Sequence, residues 1–176
     1  MARWSKLGLI AGAGALPERI AKACEKRGDP LHIVHLRGIA DESLSAYGGA
    51  VLSIAEAGAI IRTLKNEGCD AVVLAGIVHR PDFKSLKPDW RGAAMLPKVI
   101  AAAATGDGAL LGFLVDTLES EGFIVVGAEE ITRDLVAQKG ALGAARPSEE
   151  DWADIAKAAA IVGALGGVWL WAEGKG

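Results

Sequence analysis

Leu7-Gly-Leu-Ile-Ala-Gly-Ala-Gly-Ala-Leu-Pro17 is the stretch on which the reading of this chain turns. Leu7–Ala11 is a short apolar run that stops at glycine, the pattern of a buried strand. Gly12-Ala-Gly-Ala-Leu-Pro17 is then a turn, and a helix is expected from about Pro17 to Lys26. Proline suits a helix start because the first N–H groups have no partner inside the helix, and Gly28 suits its end. A strand, a glycine turn and a helix in that order open many α/β domains that bind nucleotides.

The same alternation continues outward. Strands are expected at Leu31–Leu36, Val51–Ile54, Ala71–Ala75 and Phe123–Val126. Helices are expected at Ala57–Asn66, with Ile60, Ile61 and Leu64 on one face, and at about Lys98–Ala104 and Ala109–Glu121. Gly76–Pro97, with three prolines, reads as irregular. Ser148 and Asp151 make a capping box for a last helix at about Glu149–Ala164. Val168–Trp171 is strand-like. Strands alternating with helices imply a parallel sheet. Leu7–Ala11 and Ala71–Ala75, apolar on every face, belong in its interior. The fold class is therefore α/β: a Rossmann-like three-layer domain with an open, mainly parallel sheet and a C-terminal linker helix. Residues 1–140 form the nucleotide- or substrate-binding domain, and 141–176 the linker, the helix and the start of a further domain.

Composition agrees. In 176 residues, 51% are hydrophobic and only 5% aromatic, as Ala-rich helices over buried strands require. A net charge of −3 argues against nucleic acid as a partner. Cys24 and Cys69 have no ligand spacing and read as reduced thiols near the core. The start, Met1-Ala-Arg-Trp-Ser-Lys, has no apolar run ending in a cleavage site. The longest uncharged run, Ala158–Ala172, is shorter than the ~20 residues that a spanning helix needs. A cytoplasmic location is expected.

Three segments carry candidate chemistry. In the first, Gly12, Ala13, Gly14 and Leu16 allow the backbone close to a ligand, and the following helix offers its positive end to a phosphate; the plain alternative is a tight turn. An NAD site would want an acidic residue at the end of the second strand. The chain has Val34-His-Leu-Arg37 there, which disfavours NAD and leaves NADP open through Arg37. In the second, Gly76-Ile-Val-His-Arg-Pro-Asp-Phe83 follows the fourth strand, beyond whose carboxyl end ligands bind in open parallel sheets. Residues 79–98 hold five basic residues (Arg80, Lys84, Lys87, Arg91, Lys98) against Asp82 and Asp89. They read either as a basic pocket for a diphosphate or as a solvated loop. In the third, Thr105-Gly-Asp-Gly108 places Asp107 between glycines before a helix, for Mg²⁺, a ribose hydroxyl or a simple cap. His32 and His35, three apart on a strand, face opposite sides of the sheet, and His79 stands alone. No metal ligands are assigned.

Together these segments resemble the UDP-2,3-diacylglucosamine pyrophosphatase family of the LpxI type, from lipid A synthesis. The resemblance rests on Leu9–Pro17, on Leu74-Ala-Gly-Ile-Val-His-Arg-Pro-Asp-Phe83, on Leu86–Trp90, on Gly106–Leu111, on Gly122–Gly127 and on the Gly140–Pro147 linker. It implies a hydrolase that cleaves a UDP-diacyl-sugar with Mg²⁺, releasing UMP and 2,3-diacylglucosamine 1-phosphate. Gly12, Ala13, Gly14, Leu16, Gly76, Val78 and Arg80 would contact substrate, with Arg80 on the diphosphate. Asp82 and Asp107 would be the catalytic candidates. The family pattern has a second Asp where this chain has Gly108, and the family continues into a second α/β domain. The chain thus reads as an N-terminal half that binds a uridine nucleotide weakly and turns over little. Peripheral contact with the inner membrane through the lipid substrate and homo-oligomer formation are compatible with this. A non-catalytic nucleotide-binding module and an NADP-binding oxidoreductase fragment are the alternatives.

Overall fold

The computed structural model describes residues 3–79, 87–132, 143–144 and 146–164, with the side chains of Asp107 and of residues 162–164 outside the description. The chain divides into two units, Met1–Arg133 and Asp134–Gly176.

The first unit is a Rossmann-like α/β domain. Five strands, β1 (Leu7–Ala11), β2 (Leu31–Leu36), β3 (Ala50–Leu52), β4 (Ala71–Ala75) and β5 (Ile124–Val125), pair in parallel in the order β3-β2-β1-β4-β5. The two fully apolar strands, β1 and β4, lie side by side in the interior, in register from Leu7 with Ala71 to Ala11 with Ala75. Burial on both faces is what such strands need, since neither has a polar side to give to water. The helices are α1 (Ala15–Arg27), α2 (Ala57–Asn66), α3 (Trp90–Thr105), α4 (Asp107–Ser120) and the short α5 (Ala128–Ile131), with a 3₁₀ turn at Glu42–Tyr47.

Alternation along the strands divides the core in two. Leu7, Leu9, Ile33 and Val73 face α1, α5 and the 3₁₀ turn, where Ile20, Cys24, Leu44 and Ile131 close the layer. Val34, Leu36 and Val72 face the other way, against Ile60, Ile61 and Leu64 of α2 and Leu118 of α4. Cys24 and Cys69 are free and buried, and burial raises both thiol pKa values, so they stay protonated.

Two expectations need correction. Trp90–Pro97 is helical, not irregular: Asp89 caps α3 by accepting from Gly92 N at 2.7 Å, and the helix runs through Pro97. A proline inside a helix costs ~3 kcal/mol. Met95, Leu96 and Val99 of this helix are partly buried and face the cavity described below. The edge strands β3 and β5 are shorter than their apolar runs, because each has only one neighbour to pair with. The 3₁₀ turn and α5 carried no periodic signal.

In the second unit, α6 (Glu149–Ala164) begins as its capping box requires. Ser148 N and Oγ both donate to Asp151 Oδ2 at 2.8 Å, and Asp151 N donates back to Ser148 Oγ at 3.2 Å. The Ser148 amide, then its hydroxyl, holds the Asp151 carboxyl below its usual range. Val168–Trp171 lies outside the described residues. Among the described residues no helix is long and apolar enough to cross a membrane.

Candidate functional site

The order β3-β2-β1-β4-β5 reverses direction between β1 and β4, so the carboxyl ends of these two strands form the switch point at which ligands enter such sheets. Both glycine segments singled out in the sequence end up there, joined to each other. Gly12 N donates to Ala75 O at 2.8 Å, while Ala13 and Ile77 exchange a reciprocal pair at 2.9 and 2.8 Å. The backbones approach so closely that a Cβ on Gly12 would sit 2.7 Å from Ile77 O, and one on Gly76, whose φ is +98°, 2.7 Å from Ala13 O. The glycines are needed first for each other.

The third amide of the turn is engaged as well. Gly14 N donates to Asp41 Oδ2 at 2.7 Å. Asp41 stands just before the 3₁₀ turn, five residues beyond the end of β2, and sequence reasoning missed it. It looked at the end of β2 for an acid that would meet a ribose; the acid comes later and meets the protein's own backbone. With Gly12, Ala13 and Gly14 N–H groups all bonded internally, the turn contributes close backbone approach rather than a ready set of amide donors. Arg37 donates to Val51 O at 3.2 Å and lies 3.7 Å from Glu56, so its guanidinium turns to its own neighbours.

Beside this joint opens a cavity of about 910 Å³, within the size range of small-molecule sites. Its floor is the sheet, through Ile10, Leu36 and Leu74; its walls and roof come from α2, α3 and α4. Leu16, Gly76 and Val78 stand in its lining, joined by His79. Apart from His79 and Thr117, the described residues that line it carry apolar side chains or none, and the Thr117 hydroxyl is spent on Phe113 O at 2.7 Å. Surface of that kind favours hydrocarbon. Ile77 and Val78 are exposed beside it, so the apolar character continues outward.

The structure thus brings Leu16, Gly76 and Val78 to the cavity and holds Gly12, Ala13 and Gly14 alongside it. Arg80 and Asp82 lie outside the described residues. Asp107 opens α4, with its side chain outside the description. Among the described residues, no group of three His, Cys, Asp or Glu is placed to hold a metal ion. His79 lies within the Gly76–Phe83 segment singled out in the sequence but was given no role there, and the cavity had no motif to announce it: a cavity is space left between elements distant in sequence.

Polar side chains gather instead at the opposite end of the sheet. Asp70 accepts from Ser5 N at 2.8 Å and from Lys6 N at 2.9 Å. Partial burial works against the charge on Asp70, but these amides outweigh it and lower its pKa. Glu67 holds Lys6 at 3.1 Å and His32 Nδ1 at 3.4 Å. Burial, more than any neighbouring charge, lowers the His32 pKa and keeps the ring neutral.

Residues 6–135 match the family described as LpxI N-terminal domain. The chain is similar to the UDP-2,3-diacylglucosamine pyrophosphatase LpxI of Caulobacter vibrioides, with 47% identity over 161 residues. The aligned region covers 92% of this chain and 58% of that relative's length.

Proposed function

The chain belongs to the LpxI family, and from that premise we propose that it supplies the acyl-chain chamber and one wall of the diphosphate site for hydrolysis of UDP-2,3-diacylglucosamine. The carrying observation is the aliphatic cavity of about 910 Å³ beside the β1–β4 switch point. A diacyl sugar nucleotide has two halves of opposite character. Its hydrocarbon gains by leaving water, by ~0.8 kcal/mol for each CH₂ buried, and the cavity gives it the means. Its diphosphate then emerges at the carboxyl ends of β1 and β4, beside Gly12, Ala13, Gly14 and His79.

In this reading Leu16, Gly76 and Val78 line the passage between the two halves, and Arg80 pairs with the diphosphate. Water attacks one phosphorus of the diphosphate and the bond from it to the bridging oxygen breaks, so that UMP and the sugar 1-phosphate separate, one carrying the water oxygen and the other the bridge. Asp82 and Asp107 are proposed to orient the water and the sugar hydroxyls. Among the described residues no three His, Cys, Asp or Glu side chains are grouped to hold a metal ion; the expected Mg²⁺ dependence rests on the family resemblance. Action at the cytoplasmic face of the inner membrane, where such a lipid would be met, belongs to the same proposal.

Residues 1–176 by themselves, matching 58% of the relative's length, are expected to bind more than they turn over. Titration with UMP and UDP, with and without Mg²⁺, should show weak saturable binding, and NADPH none. Release of UMP from UDP-2,3-diacylglucosamine by residues 1–176 should stay far below an ordinary turnover of ~10 s⁻¹. Turnover at that level would move the whole catalytic role onto this chain. Binding without any turnover, even with the rest of the relative's length restored, would favour the non-catalytic module.

A further inference from the structure

One carboxylate ties the start of α3 to the start of α2 at the edge of the cavity. Asp89 Oδ1 accepts from Gly92 N at 2.7 Å, capping α3, and Asp89 Oδ2 accepts from Ala59 N at 2.9 Å, in the first turn of α2. Helix α2 has no side-chain cap of its own: the carboxylate of Glu56, at its N-cap position, turns back to Ser53 N at 2.6 Å. It borrows its cap from a residue thirty positions later. One anion therefore sits between two positive helix ends and satisfies an orphan donor on each.

Glycines permit the approach. A Cβ on Gly58 would lie 2.7 Å from Asp89 Oδ2, and one on Gly92 would collide with Ala55 O. Ala55, Ala57, Pro88 and Gly92 also line the cavity, so this joint is part of its wall. A second tie crosses at Glu121, which holds Lys65 of α2 at 2.6 Å and also pairs with Arg91 of α3. Lys65 first, then Arg91, keeps that carboxyl below its usual range.

We propose that Asp89 is a positioning residue that fixes the spacing of α3 from α2, and through it the length of hydrocarbon chain the cavity accepts. This rests on the reading of the cavity as an acyl-chain chamber. Without the carboxylate, two helix N-termini face each other with unpaired donors and like partial charges. They separate, and Met95, Leu96 and Val99 of α3 move off the chain they would cover.

The test uses the whole chain and n-alkyl phosphates from octyl to hexadecyl, with affinities measured by calorimetry. Wild type should bind more tightly with each added carbon up to a limit and then level off. Asp89→Ala should lose about tenfold in affinity at the preferred length, as a pre-formed site becomes a loose one, and shift the limit toward longer chains. Gly58→Ala, which presses on the same carboxylate without removing it, should shift the limit the same way. Asp89→Asn, which keeps one acceptor oxygen, should fall between. Asp70→Ala is the control: it removes a carboxylate that likewise accepts two backbone amides, Ser5 N and Lys6 N, at the other end of the sheet, and should lower stability without moving the limit. A length profile for Asp89→Ala and Gly58→Ala that parallels wild type overturns the assignment of Asp89 while leaving the chamber intact. If wild type binds no alkyl phosphate of any length, the chamber reading falls and the assignment falls with it.

Discussion

At the amino end of the sheet, Asp70 gathers the amides of Ser5 and Lys6, and Glu67 gathers Lys6 and His32; at the carboxyl end, the glycine segments meet through backbone alone and leave an aliphatic hollow beside them. The two ends share the same central strands, five residues long, yet are closed by different means. Charged side chains at the amino end satisfy one another and offer a ligand little. At the carboxyl end the two glycine segments join through backbone, carboxylates such as Asp41 and Asp89 are turned onto the protein's own amides, and unfilled apolar surface remains. The difference separates what holds this domain together from what it is available to bind.

The strongest way to break that contrast is Gly76→Val. The residue sits at φ +98° with a neighbouring carbonyl 2.7 Å from any Cβ, so strain and collision together should cost on the order of 3 kcal/mol. Urea unfolding measures it. An unchanged midpoint would mean the two glycine segments are not pressed together, and a ligand role for Gly76 would regain ground.

Asp70→Ala sharpens the contrast from the other side. It removes the acceptor for two backbone donors at a partly buried site, and should cost about 1–2 kcal/mol. Affinity for UMP should not change. A variant that folds as well as wild type but binds UMP less would show that the amino end takes part in binding.

The smallest effect is in pH. The folded-state pKa of His32 lies below its unfolded value. Folding thus favours the neutral ring, and the stability this contributes is present above about pH 6.5 and lost as pH falls through the folded value. Asp70 follows the same sign lower down: its pKa is depressed, so its contribution is present above about pH 4 and lost as pH falls further. Urea midpoints between pH 7 and pH 3 should fall in two stages. His32→Gln should flatten the first and Asp70→Asn the second. A single stage that neither variant alters would remove both groups from the account.

Much of the fold was legible because its central elements are locally consistent. Leu7–Ala11 and Ala71–Ala75 are apolar on both faces and could only be interior. Ser148 and Asp151 carry the start of α6 in four residues. Trp90–Pro97 reads as irregular because three nearby prolines outweigh the single cap at Asp89, whose second bond, to the distant Ala59 amide, is invisible in the local sequence. The site was less legible. Glycine spacing located the switch point, but the partners that give the glycines their purpose lie tens of residues away. Asp41 reaching Gly14, and Asp89 reaching Ala59, are contacts between a side chain and a distant amide, and no local pattern encodes them. Arg80 and Asp82, the sharpest sequence candidates, lie outside the described residues.

The placement of β1 between β2 and β4 also bears on how the chain is made. The first strand to leave the ribosome is the one that needs the latest company. β2 follows within about twenty residues, but the other edge of β1 pairs with Ala71–Ala75. At a synthesis rate of ~5–20 residues per second, roughly 3–12 s pass between the two. Throughout that interval Leu7–Ala11 presents an unpaired apolar edge, the kind of template on which strands of other chains add. Capture of the Ser5 and Lys6 amides by Asp70 falls within the same few residues of synthesis as β4, whereas the outer edge of β4 still waits for Ile124–Val125. The nascent domain should therefore lose its exposed edges in two steps, β1 when β4 clears the exit tunnel and β4 only when β5 follows.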